Sequence, residues 1–167
     1  MSKSKRVATI ALCIALAFVL SFLESLIPIN IGIPGVKLGL ANSITLAAIY
    51  LLGKREAFFI SMLRILLAGL LFSGAFSLVY SYAGGILSFL VMIAAMKSEK
   101  LSPVGVSVLG AAVHNVGQII VAAVVMNSSQ IVYYLPVLLI SGAVSGVLVG
   151  IVSGIVIARL NNIVKKL

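Results

Sequence analysis

The chain has 167 residues, 62% of them hydrophobic and 9% charged, with 12 Lys and Arg against 3 acidic residues and a net charge of +9. Soluble domains carry about 45–50% apolar and about 25% charged residues, so this composition excludes a soluble globular domain, a disordered tail and a nucleic-acid-binding module. One cysteine (Cys13) excludes a disulfide framework and a cysteine-based zinc site. One histidine (His114) and the absence of Asp exclude a multi-histidine metal centre and an Asp-rich magnesium site, and no P-loop motif is present. No metal and no cofactor are expected, and the chain reads as one membrane domain over residues 1–167.

Spanning helices need about 17–25 mainly apolar residues. After a short basic tail (Lys3, Lys5, Arg6), residues 7–27 form the first expected span. A cleaved signal peptide is the less favoured alternative, because the apolar run continues well past the small residues Ala15 and Ala17. Pro28, Gly32, Pro34 and Gly35 forbid a continuous helix over 28–37, which suits a folded cap over the outer mouth of a bundle. The second span, 38–52, is short and ends at a charged turn, Gly53-Lys54-Arg55-Glu56. The third, 57–73, contains Arg64, and Ser73-Gly74 turns the chain into the fourth, 75–96, interrupted by Gly84-Gly85. A charged loop ending at Pro103 precedes the fifth, 104–126, and a polar turn at 127–130 precedes the sixth, 133–160.

Six spans put both termini on one side. Ten cations (Lys3, Lys5, Arg6, Lys54, Arg55, Lys97, Lys100, Arg159, Lys165 and Lys166) then fall on that side and only Lys37 on the other. Cytoplasmic loops carry the excess of Lys and Arg, so both termini are expected to be cytoplasmic and the location a bacterial cytoplasmic membrane.

Arg64 is the most informative residue. A charge at the centre of a span costs about 2.5–3.5 kcal/mol on insertion scales and normally faces protein or water. Its guanidinium suits a carboxylate or phosphate; the competing structural reading pairs it with Glu24 or with helix carbonyls. His114, Asn115 and Gln118 form a second constellation, with His114 and Gln118 on one helix face and Gly110 and Gly117 nearby. Interhelical hydrogen bonding is the competing explanation, but three polar groups in five positions favour a site. Tyr80, with Ser77, Ser81 and Gly84, makes a third polar face. Lys37 could attract an anionic ligand from the cap, and Asn42 could hydrogen-bond it. Gly142, Gly146, Gly150 and Gly154 recur every four residues in span six, a row that lets a helix approach closely. No catalytic pair is visible: Glu24 lies near the outer end, while Glu56 and Glu99 are cytoplasmic.

Several stretches together resemble a known family: Glu24-Ser-Leu-Ile-Pro28, Ile33-Pro-Gly-Val-Lys-Leu-Gly-Leu-Ala-Asn42, Arg64, Gly110-Ala-Ala-Val-His-Asn-Val-Gly-Gln118 and Tyr134-Leu-Pro-Val-Leu-Leu-Ile-Ser-Gly142. They are similar to the Gx transporters, whose members carry the label heptaprenyl diphosphate synthase component I, over residues 7–155. That family resembles the substrate-binding S-components of energy-coupling-factor (ECF) transporters, six-helix membrane proteins that bind a vitamin or metal ion near the outer face. The resemblance implies a lid over 28–37. It also implies docking through Ala11 and Ala15 onto a transmembrane coupling subunit driven by two ATPases. This is fold-level analogy.

The expected function is therefore a non-enzymatic substrate-binding component of an ECF-type uptake transporter. It takes a small vitamin-like, anionic or isoprenoid ligand through Arg64, His114, Asn115, Gln118, Asn42, Lys37, Glu24 and Tyr80. The alternative is a non-catalytic membrane subunit in isoprenoid or quinone metabolism or in membrane electron transfer. Zero Asp and scattered Glu leave no site for magnesium-diphosphate, so catalysis of prenyl transfer is not expected of this chain. Membrane lipids are expected neighbours in either case.

Overall fold

The computed structural model describes residues 3–26 and 39–164, apart from the side chains of 73, 75, 76 and 162–164. The expected cap at 28–37, with Lys37, lies outside the described residues. Every described element is helical. Helix α1 (Lys3–Leu26) is mostly Ala, Leu, Ile, Val and Phe after its basic first turn. Helix α2 (Leu40–Leu51) starts after Gly39, whose φ of 71° is left-handed. Helix α3 (Lys54–Ala68) starts after Gly53 (φ 110°) with Glu56 in its first turn, where the helix dipole favours an anion. It continues into one π-helical turn, Gly69–Ser73, that stops at Gly74, φ 80° and ψ 164°, a conformation open essentially to glycine alone. Helix α4 (Gly74–Lys97) ends with Lys97 in its last turn. Helix α5 (Pro103–Val125) has Ser102 as N-cap, accepting from the Gly105 N–H at 3.3 Å, and Pro103 in the first turn. A 3-10 turn, Ser129–Tyr134, leads into α6 (Leu135–Val164).

The sixth expected span is shared between the 3-10 turn, which holds Tyr133 and Tyr134, and α6, which begins at Leu135. One expectation is corrected. Gly84-Gly85 does not interrupt α4, which runs straight through both. A Cβ on Gly84 would stand 2.6 Å from the His114 carbonyl oxygen, and one on Gly85 2.5 Å from Ile65 Cδ1. These glycines let α5 and α3 approach rather than break the helix.

Helices within Lys3–Leu26, Ser77–Lys97, Pro103–Val125 and Ser129–Asn161 are long and apolar enough to cross a membrane. The other two are not, by the same measure. Helix α2 has 12 residues, about 18 Å at the usual rise, against a hydrocarbon core of about 30 Å. Helix α3 carries Lys54, Arg55, Glu56 and Arg64.

The helices pack as a closed ring in the order α1, α2, α6, α5, α4, α3, with α2 also touching α3 across it. Successive helices alternate in direction. Gly142, Gly146 and Gly150 of α6 meet Asn115, Val108 and Val104 of α5 in reverse order, and Gly85 and Gly69 meet Ile65 and Leu78 between α3 and α4. Arg6 forms an ion pair with Glu56, joining the starts of α1 and α3. Consequently the described cations other than Arg64 collect at one end of the bundle, all exposed.

The polarity of the ring is inside-out relative to a soluble protein. Val124 is 76% exposed and Ile140 68%, while Ser61, Ser107 and Ser153 are buried. Apolar surface of this kind marks contact with lipid or protein, and small hydroxylated residues suit close helix packing in a membrane. Ser153 shows how such a group is satisfied: its hydroxyl reaches the Val149 carbonyl at 2.7 Å and the Ser43 carbonyl at 3.1 Å. The apolar core, built on Leu46, Ile49, Ala57, Ile60, Phe89, Met92 and Val106, fills the half of the ring next to the basic end. Helix α2 is central to it, with seven of its twelve residues buried.

Candidate functional site

The opposite half of the ring is hollow. A cavity of about 180 Å³ there receives residues from all six helices. Helix α1 supplies Ser21, Glu24 and Ser25; the start of α2, Gly39 and Asn42; α3 and its π turn, Arg64, Ala68, Gly69 and Phe72. Ser81 of α4, His114, Asn115 and Gln118 of α5, and Ser141, Gly142 and Ser145 of α6 complete the wall.

Arg64 is held by Asn42: its Nη2 donates to Asn42 Oδ1 at 3.0 Å, while its buried Nε has no hydrogen-bond partner among the described residues. Glu24 is held differently. The Gly39 N–H donates to its Oε1 at 2.5 Å, which sets the carboxylate at the N-terminus of α2. The competing reading that pairs Arg64 with Glu24 stops short of an ion pair: among the described residues the only ion pair is Arg6 with Glu56. Both charges face the cavity without closing on each other.

On α5, His114 and Gln118 sit against Gly84 of α4, whose missing side chain leaves them space. Asn115 Nδ2 donates to the Leu138 carbonyl at 2.5 Å, and Gly142 leaves room for that amide. One donor of Asn115 thus ties α5 to α6. The hydroxyls of Ser21, Ser25, Ser141 and Ser145 donate to carbonyls of their own helices, those of Ala17, Phe22, Leu138 and Gly142. A hydroxyl that has spent its proton retains acceptor capacity. Phe72, from the π turn, stacks on Phe18 with centroids 5.2 Å apart and meets Phe22 at 5.3 Å.

The structure therefore brings Arg64, Glu24, Asn42, His114, Asn115 and Gln118 to one cavity. It does not bring Tyr80, which is absent from the lining; its neighbour Ser81 is there instead, a helical step of about 100° away. Tyr82 is structural, its hydroxyl donating to the Met62 carbonyl of α3 at 3.1 Å. Ala11 and Ala15 are exposed on the outer face of α1, and Ala17, around the helix from them, is fully buried. Sequence reasoning missed Ser21, Ser25, Phe72, Ser141 and Ser145. The serines did leave a signal, since 21 with 25 and 141 with 145 are both four apart on apolar helices. Among the described residues, no three His, Cys, Asp or Glu side chains converge on a possible metal position.

Fold and site together define a membrane-associated helical protein with a charged, polar cavity at one end of its helix ring. The family model described as heptaprenyl diphosphate synthase component I matches residues 13–156, a stretch that includes every described cavity residue. The chain belongs to that family. No curated protein and no solved structure matches it.

Proposed function

We propose that the protein is the membrane-embedded substrate-binding component of an ECF-type uptake transporter, with six spans and the cavity open to the outer face. The observation that carries this reading is the gathering of Arg64, Glu24 and the polar face of α5 into one cavity at the end of the ring away from the cations. The excess of Lys and Arg supports a cytoplasmic basic end, with the cavity on the outer side. Helix α2 is short but enclosed by α1, α3 and α6, and backbone that does not span is tolerated where protein surrounds it. The extension of α3 by the π turn to residue 73 brings that helical stretch to 20 residues, about 30 Å.

Function is then binding and handover, not bond breaking. An anionic group docks on Arg64, whose fork of donors is spent only once on protein among the described residues. Gln118 and His114 orient the rest of the ligand. The exposed Ala11 and Ala15 offer a flat strip on α1 for a transmembrane coupling subunit, whose ATPases drive release inside.

The family description favours a second reading, a non-catalytic membrane subunit that presents a prenyl diphosphate to a separate catalytic component. Volume weighs against it. A cavity of about 150 Å³ holds benzene, so about 180 Å³ takes a small molecule or a head group, and a polyprenyl chain would have to lie outside. The test is purification of the tagged full chain from its own membrane in mild detergent, with ATP-dependent uptake assayed in parallel. Stoichiometric recovery of a transmembrane subunit with ATPases is the expected result. Stable recovery of a prenyl-transferring enzyme without them would select the second reading.

A further inference from the structure

We infer that the cavity is built for a zwitterion, a small molecule carrying an anionic group for Arg64 and a cationic or N–H-donating group for Glu24. This deepens the binding reading above and rests on it. The walls are two-poled. On α1, Glu24 stands between Ser21 and Ser25, whose hydroxyl protons go to the Ala17 and Phe22 carbonyls, so all three present oxygen acceptors. Glu24 accepts only the Gly39 N–H, through Oε1, among the described residues. Arg64 is the donor pole: one Nη2 bond goes to Asn42, and its buried Nε has no partner among the described residues.

The two charges line the same cavity yet form no ion pair. Opposite charges left apart inside a bundle are costly unless something between them satisfies both. A singly charged ligand would satisfy one pole and leave the cavity with a net charge in apolar surroundings. A zwitterion satisfies both and keeps the filled cavity neutral. The volume, about 180 Å³, admits one ring with two short substituents, judged against a benzene-sized cavity of about 150 Å³. Phe72, braced by Phe18 and Phe22, supplies an aromatic wall for it.

Thermal unfolding of the detergent-purified full chain, titrated at equal ionic strength with para-aminomethylbenzoate, benzoate or benzylamine, tests this. The expected apparent Kd for the zwitterion is about tenfold or more below that of either singly charged ring. Glu24→Gln is expected to erase its advantage over benzoate, and Arg64→Gln its advantage over benzylamine. Benzoate binding wild type as tightly as the zwitterion would overturn the inference, and so would stabilisation by none of the three. The wild-type ranking decides the matter even if a variant does not fold. A singly charged small molecule co-purifying with wild type would sink the zwitterion while leaving the binding reading intact. No co-purifying molecule and no probe binding would sink both.

Discussion

Arg64 is the residue on which a charge inside an apolar bundle has to be reconciled with the cost of placing it there. Asn42 does this with a single hydrogen bond at 3.0 Å. Asn42→Ala is therefore expected to destabilise the solubilised protein by about 1–3 kcal/mol, since it strands a charged donor, and thermal unfolding measures it. Thr45 is the opposite case. It is 1% exposed, and its hydroxyl has no partner among the described residues. Thr45→Val is expected to raise stability by about 1 kcal/mol, because removing an unsatisfied buried hydroxyl recovers its desolvation cost; a loss would show that the hydroxyl has a partner in solution. Arg64 and the α5 trio were legible in the sequence because Arg, His, Asn and Gln are rare and expensive in apolar runs. The cavity serines were not, because serine is also an ordinary packing residue in such helices, as Ser153 is here. Tyr80 was misplaced for a geometric reason: the polar face of α4 points Ser81 into the cavity, and its neighbour in sequence points elsewhere.

At the scale of elements, glycine decides how close the helices come. The row of four in α6 looked uniform in the sequence, yet its members differ. A Cβ on Gly150 would lie 2.5 Å from Val104 Cα, whereas one on Gly154 meets nothing within 4 Å. Gly150→Ala is expected to push α6 off α5 and cost about 1–3 kcal/mol, and Gly154→Ala to cost nothing or stabilise slightly. Equal effects in thermal unfolding would contradict this packing. Gly74 isolates backbone strain from packing, since its Cβ would also meet open space while φ is 80° and ψ 164°. Gly74→Ala is expected to cost about 1–3 kcal/mol through conformation alone. The helix ends were legible because Gly53, Gly74 and Pro103 punctuate them. The π turn was not, because no residue type announces an extra residue in a helical turn, and α4 running through Gly84-Gly85 needed its neighbours to be seen.

For the whole molecule, the ring is divided between an apolar core at the basic end and a charged cavity at the other. Helix order was readable from alternating apolar runs and cation clusters; which helices touch was not, because lipid-facing and neighbour-facing surfaces are equally apolar here. The proposed six-span arrangement makes a labelling prediction. In a Cys13→Ala background, Ser129→Cys is expected to react with a membrane-impermeant maleimide on intact cells, and Ser98→Cys only after permeabilisation. Both positions are exposed, so the same labelling at both would contradict an odd number of crossings between them.

The central claim is that the cavity around Arg64 holds a small molecule. Mass spectrometry of what co-purifies with wild type, Arg64→Ala and His114→Ala, each checked for an unchanged elution profile, addresses it most directly. The expected result is one defined species of single-ring size, present in wild type and at least about tenfold depleted in Arg64→Ala, as loss of a charge-assisted hydrogen bond implies. The same phospholipids in all three samples, with no species lost from Arg64→Ala, would contradict it.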